Sequence, residues 1–207
     1  MESRQTMKNT KEIILFYDEL KEFDLNEIAK EILSRYDFLE EPVIVPKNEQ
    51  DKKFLVVFNK YPDLQIEINE SNVLIVMRHN HFNELNSIIF DVVDAFDGIG
   101  ISFSRIGYIS SNFESPLKIE AAKKKYLKEE EFKDVLELNL SWYRKIDFNS
   151  SYINCWERVI TDTVHFKDLL LQYDINTPVG EKVNIDMKFI KEFFKTSDDY
   201  IDSRIDL

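Results

Sequence analysis

Glycine is scarce in this chain, with four residues among 207. Loops that cradle a phosphate depend on glycine, because only a residue without Cβ lets backbone amides close around an anion. So few glycines argue against a phosphate-cradling catalytic fold. Cysteine is rarer still: Cys155 stands alone, so no intrachain disulfide forms, and a reducing compartment is expected. Positive charge is also short. Lys and Arg number 27 against 39 Asp and Glu, a net charge of −12 with histidine neutral. That surplus repels phosphate and excludes a strongly basic nucleic-acid binder. Long apolar runs are missing as well. The first, Ile13 to Tyr17, is five residues long, too short for a signal-peptide core or a bilayer span. The expectation is a soluble cytoplasmic protein with no membrane association.

What is present suits a packed core. Hydrophobic residues make up 43% and aromatics 13%, which excludes disorder as the default state. The length fits one large domain or two small ones. Glu12 to Glu19 reads as a strand. Asp24-Leu25-Asn26-Glu27 is a capping box, followed by Leu25, Ile28, Ala29, Ile32, Leu33 and Tyr36 on one helical face. Pro42 and Pro46 bracket an extended Val43-Ile44-Val45, and strands are expected over Phe54 to Asn59, Leu64 to Asn69 and Val73 to Arg78. From His81 to Phe96 apolar residues keep helical spacing, with Gly98 where a left-handed cap belongs. Ile99 to Ser110 reads as a strand whose Gly100 and Gly107 mark bulges or close backbone approach. After a junction at Asn112 to Pro116 come a charged helix (Leu117 to Lys128), strands over Val135 to Arg144, Ser151 to Thr163 and Lys167 to Asn176, and a helix from Ile185 to Ile201.

The pattern predicts an α+β fold, a mainly antiparallel sheet or sheets covered by amphipathic helices. The predicted order is β-α-β-β-β-α-β, then α-β-β-β-α. It divides at the junction into an N-terminal half, residues 1–115, and a C-terminal half, residues 116–207, which also fit one continuous domain.

Ser104-Arg105-Ile106-Gly107 and Asn112, lying after the amphipathic helix, resemble a sporadically distributed, largely uncharacterised bacterial family. Its members carry an Arg-Ile-Gly-Leu-Arg-Tyr-Ile-Asn-like strand at that point. Leu169 to Ile175 and the last aromatic helix look like its closing elements. Ile109 stands where the motif has its second arginine, so the resemblance carries no role for that arginine over to this chain. The resemblance implies a fold and no particular activity.

Candidate chemistry is sparse. His79 and His81 flank Asn80, and two imidazoles two residues apart in a strand share a face and could share a metal. No acid or thiol stands at ligand spacing, and a helix cap at Asn80 and His81 would turn the rings apart. Cys155, between Asn154 and Trp156 in a strand, reads as a buried inert thiol rather than a nucleophile paired with His165. Glu129 to Glu131, after Lys123 to Lys125 and Lys128, read as a solvated charge-paired helix end. No cofactor is implied.

One electrostatic pattern works against stability. Asp198, Asp202 and Asp206 recur every four residues on the last helix, with Asp199 beside them. Like charges at that spacing repel, and acids near a helix C-terminus oppose its dipole. The stripe is expected to dock a basic partner, and changing Asp198, Asp202 and Asp206 to Asn is expected to stabilise the fold slightly while weakening that contact. The leading functional expectation is a non-enzymatic acidic protein that binds a basic, nucleic-acid-processing protein. Inhibitors, immunity proteins and phage-defence regulators share this profile. Direct nucleic-acid binding is not expected. The alternatives are a metal-dependent hydrolase using His79 and His81, and a homo-oligomeric scaffold or chaperone-like protein pairing its edge strands.

Overall fold

Alternation of buried and half-buried side chains along extended strands builds most of the described chain. A computed structural model describes residues 9–17, 34, 43–46, 54–57, 64–69, 71–78, 85–112, 122, 124, 137–161, 169–180 and 183–205. Its strands are β1 (Asn9–Phe16), β2 (Val43–Pro46), β3 (Phe54–Val57), β4 (Leu64–Ile68), β5 (Asn72–Arg78), β6 (Arg105–Asn112), β7 (Asn139–Phe148), β8 (Ser151–Thr161) and β9 (Leu169–Asn176). Helix α1 (Leu85–Gly98) follows β5, and α2 (Met187–Ile205) follows β9.

The nine strands form one sheet in the order β2-β3-β4-β5-β1-β6-β9-β8-β7, with every neighbouring pair antiparallel. The α+β class with an antiparallel sheet under amphipathic helices is therefore as the pattern predicts. Pairing of β6 with β9 carries the sheet without interruption from residues before 115 to residues after it. The extended Val43-Ile44-Val45 becomes a strand in its own right, β2, because β3 pairs with it. The expected helices over Asp24 to Tyr36 and Leu117 to Lys128 lie outside the described residues, except that Ser34, Ala122 and Lys124 are helical.

Register explains the core. Ile75, Ile13, Tyr108, Ile175 and Cys155 stand opposite one another across β5, β1, β6, β9 and β8, and all five are 0% exposed. Both helices cover this face. Phe96 of α1 meets Tyr17 with ring centroids 5.5 Å apart, and Phe194 of α2 meets Tyr108 at 5.1 Å. Burying each such side chain contributes about 1.5–3 kcal/mol. On the other face the strand residues, Ile14, Leu74, Val76 and Ile109 among them, are half-buried.

Two glycines differ from the expectation. The left-handed residue closing α1 is Gly100, with φ 80°, rather than Gly98. Ile101 N–H donates to Phe96 O at 2.9 Å and Gly100 N–H to Asp97 O at 2.9 Å, the paired bonds of a Schellman cap. The next strand consequently starts at Arg105, and Ile99 to Ser104 are spent on the cap and the crossing to the sheet. Gly107 marks neither a bulge nor a close approach. The β1 and β6 register runs through it unbroken, and an added Cβ would find its nearest neighbours at an ordinary 3.8 Å. The β7–β8 hairpin turns on Asn149 (φ 45°) and Ser150 (φ 65°), the two positive values of a type I′ turn. Asn149 Nδ2 also donates to Glu192 Oε2 at 2.9 Å, pinning the hairpin to α2.

Candidate functional site

The acidic stripe on α2 is not uniform. Asp199 and Asp202 are exposed, and Asp206 lies outside the described residues. Asp198 faces the sheet instead. Its Oδ1 accepts from Tyr108 Oη at 2.9 Å and from Lys11 Nζ at 3.2 Å, and Lys11 also lies 5.3 Å from the Tyr108 ring centroid. Burial first, and the Asp198 charge second, raise the Tyr108 phenol well above its usual 10.0. Asp198 is thus a structural acceptor, and the expectation that an Asn there would stabilise the fold does not follow for this position. His79, His81 and His165 lie outside the described residues, and among those described no group of three His, Cys, Asp or Glu is arranged to hold a metal ion.

Cys155 is fully buried in the sheet. Burial and then the charges of Glu157 and Asp174 push its thiol up to about 12, so little thiolate exists near neutral pH. That matches the inert-thiol expectation.

Glu157 escaped the sequence reading. It lies two residues from Cys155 and from Val159, in the parity that points inward along β8, and that placement of a charge among buried positions is the signal that could have found it. Arg144 Nε sits 2.8 Å from its Oε1 and Arg204 Nε 3.7 Å, while Tyr200 Oη donates a hydrogen bond to it. With no carboxylate four residues before Arg204, the compensating acid comes from β8. Burial, and next that hydrogen bond, raise the Tyr200 phenol to about 12. Glu157 has two cations and a phenol as partners, which ties α2 to the sheet, although the buried Arg204 Nε approaches it as an ion pair without a hydrogen bond.

A more open feature lies where α1 ends and α2 begins. Phe90, Val93, Ile101 and Phe103 form the apolar part of a cleft of about 270 Å³, which Asp94, Asp97 and Asp186 also line. All three carboxylates are exposed. Asp186 caps α2, its Oδ1 accepting from Phe189 N–H at 2.8 Å. Asp97 falls in the last turn of α1 and Asp94 immediately before it, where acids oppose the helix dipole. No basic residue stands in that turn.

The second open feature is on the face of β7 to β9 opposite Cys155. Tyr143 and Trp156 pair directly across strands, 46% and 42% exposed, with ring centroids 5.1 Å apart. Tyr143 Oη donates to Asn154 Oδ1 at 2.6 Å, and Arg158 Nη1 donates to Gln172 Oε1 at 3.1 Å.

No protein-family model matches the chain, and no curated protein matches its sequence.

Proposed function

We propose that the protein is a non-enzymatic acidic interaction protein that docks on a basic protein, with nucleic-acid-processing enzymes as the foremost partner class. The observation that carries this reading is the cleft between α1 and α2, where apolar side chains lie beside three exposed carboxylates. A lysine or arginine needs both: carbon surface for its stem and acids for its head. The net charge of −12 adds a long-range field that accelerates encounter with a basic surface. Asp199 and Asp202 extend the acidic surface on α2. An inhibitor, immunity or phage-defence role is one setting in which such a surface works, by occupying a groove built for phosphate. The likeness of the Arg105 to Asn112 strand to the sporadically distributed bacterial family belongs to the same proposal.

The test uses wild-type protein and the double variant D94N/D97N as bait, first for a lysine-rich peptide and then for lysate of the native host. A basic protein held at low salt, released as ionic strength rises, and lost by the variant supports the reading. Capture that ignores salt, or that the variant retains in full, overturns it.

A further inference from the structure

We propose that the outer face of β7, β8 and β9 is a platform for a neutral saccharide. This is independent of the acidic cleft. Register places Tyr143, Trp156 and Asp174 in one row across the three strands. The neighbouring rows hold Lys145, Asn154 and Asn176 on one side, and Ser141, Arg158 and Gln172 on the other. Two aromatic side chains are left in water at the centre of a polar field. Among the described residues, the other large hydrophobic exposed to this degree is Val179, in a turn.

The polar groups are already ordered. Asn154 Nδ2 donates to Asn176 Oδ1 at 3.4 Å, and Asn176 Nδ2 to Asp174 Oδ1 at 3.2 Å. Beyond Trp156, Gln172 Nε2 donates to Ser111 Oγ at 3.2 Å, continuing the chain that begins at Arg158. A ligand arriving here meets side chains whose rotamers are held by one another, so less conformational entropy is lost on binding.

Charge selects the ligand class. Lys145 and Arg158 balance Asp147 and Asp174 on this face, so it favours neither a polyanion nor a polycation. A polyanion also meets the field of the whole chain, −12. A sugar ring fits what remains. Its C–H face packs on an aromatic ring, and each hydroxyl both donates and accepts. Asp174 accepts, Arg158 donates, and the amides of Asn154 and Asn176 do both. The two rings are inclined by 52°, so one flat nucleobase cannot lie against both, whereas two successive sugar rings can each take one.

The probes are cellohexaose, chitohexaose and maltohexaose, with an oligothymidylate and an octalysine peptide alongside. Calorimetry gives affinities, and ligand-observed NMR gives the sugar protons that touch the protein. At least one hexasaccharide is expected to bind, with Trp156→Ala weakening it about tenfold or more. Tyr143→Ala and Asp174→Asn are expected to weaken it less, and the cleft variant D94N/D97N to leave it unchanged. Circular dichroism and thermal unfolding confirm that each variant is folded. The proposal is overturned if none of the three saccharides binds, if binding survives Trp156→Ala in a folded protein, or if the oligothymidylate or the peptide is what Trp156→Ala releases.

Discussion

The hydroxyl of Tyr108, at the centre of the sheet, donates a 2.9 Å hydrogen bond to Asp198 of α2, ninety residues further along the chain. Lys11 reaches the same carboxylate from β1. One acid thereby joins two adjacent strands to the helix that covers them. Removing it with Asp198→Ala takes an acceptor from the Tyr108 phenol, which keeps a hydrogen bond with Ser110, and an acid from Lys11, and is expected to cost about 1–2 kcal/mol. Asp202→Asn should instead gain a few tenths, about 0.3 kcal/mol, because an exposed acid near the helix end is relieved. Urea unfolding of both variants measures the opposite signs.

Alkaline pH should weaken the fold. The Cys155 thiol is raised from 9.0 to about 12 and the Tyr200 phenol from 10.0 to about 12. The folded chain keeps these protons after an unfolded chain has released them. The stability they contribute is therefore whole below pH 9 and falls as pH climbs toward 12, by about 1.4 kcal/mol per pH unit for each proton withheld. Cys155→Ala should flatten the part that begins near pH 9. Thermal unfolding from pH 7 to pH 11 reads the slope, and slow labelling of native Cys155 by a thiol reagent at pH 8 checks the burial independently.

The cap of α1 can be tested at two glycines. Gly100 has φ 80° and nothing within 4 Å of an added Cβ, so Gly100→Ala meets backbone strain without a clash, about 1 kcal/mol. Gly98 ends the helix itself, and Gly98→Ala should stabilise by up to about 1 kcal/mol through helix propensity. Equal effects of the two changes would contradict the Schellman geometry.

At the other helix, Asp186→Ala should cost about 1 kcal/mol by removing the acceptor for Phe189 N–H, and Asp186→Ser should restore most of it. If Ser fails to rescue in urea unfolding, the cap is not the source of the loss.

Glu157→Ala leaves Arg144 and Arg204 facing each other across the sheet–helix junction, and a loss of about 2–3 kcal/mol is expected. Glu157→Gln, which keeps the shape and an acceptor for Tyr200, should lose less. The same Gln variant should bring the Tyr200 phenol down toward its usual 10.0, read by ultraviolet titration.

Local pattern carried much of the architecture. Leu138, just before β7, and Leu140 and Trp142 within it alternate inward as their spacing predicts, and Ile88, Ile89, Val92 and Phe96 bury one face of α1. These assignments succeed because side-chain periodicity in a strand or helix is set by neighbours a few residues away. The α1 cap falls two residues beyond the expected Gly98 because Gly98 and Gly100 both fit the rule, and only the backbone bonds from Ile101 and Gly100 distinguish them.

The candidate surfaces were far less legible. Nothing near Asp198 in the chain announces Lys11, 187 residues away, and nothing near Arg204 announces Glu157. Composition and spacing, acting over a few residues, were enough to specify an acidic antiparallel α+β protein with Cys155 inside it. Sheet order decided the rest. By setting β6 between β1 and β9 and laying α2 across them, it engaged one aspartate of an apparently uniform stripe with Tyr108 and Lys11 and left Asp94, Asp97, Tyr143 and Trp156 exposed. Which charges are paired and which rings are covered depends on distances between segments far apart in the chain, and those distances exist only once the sheet has formed.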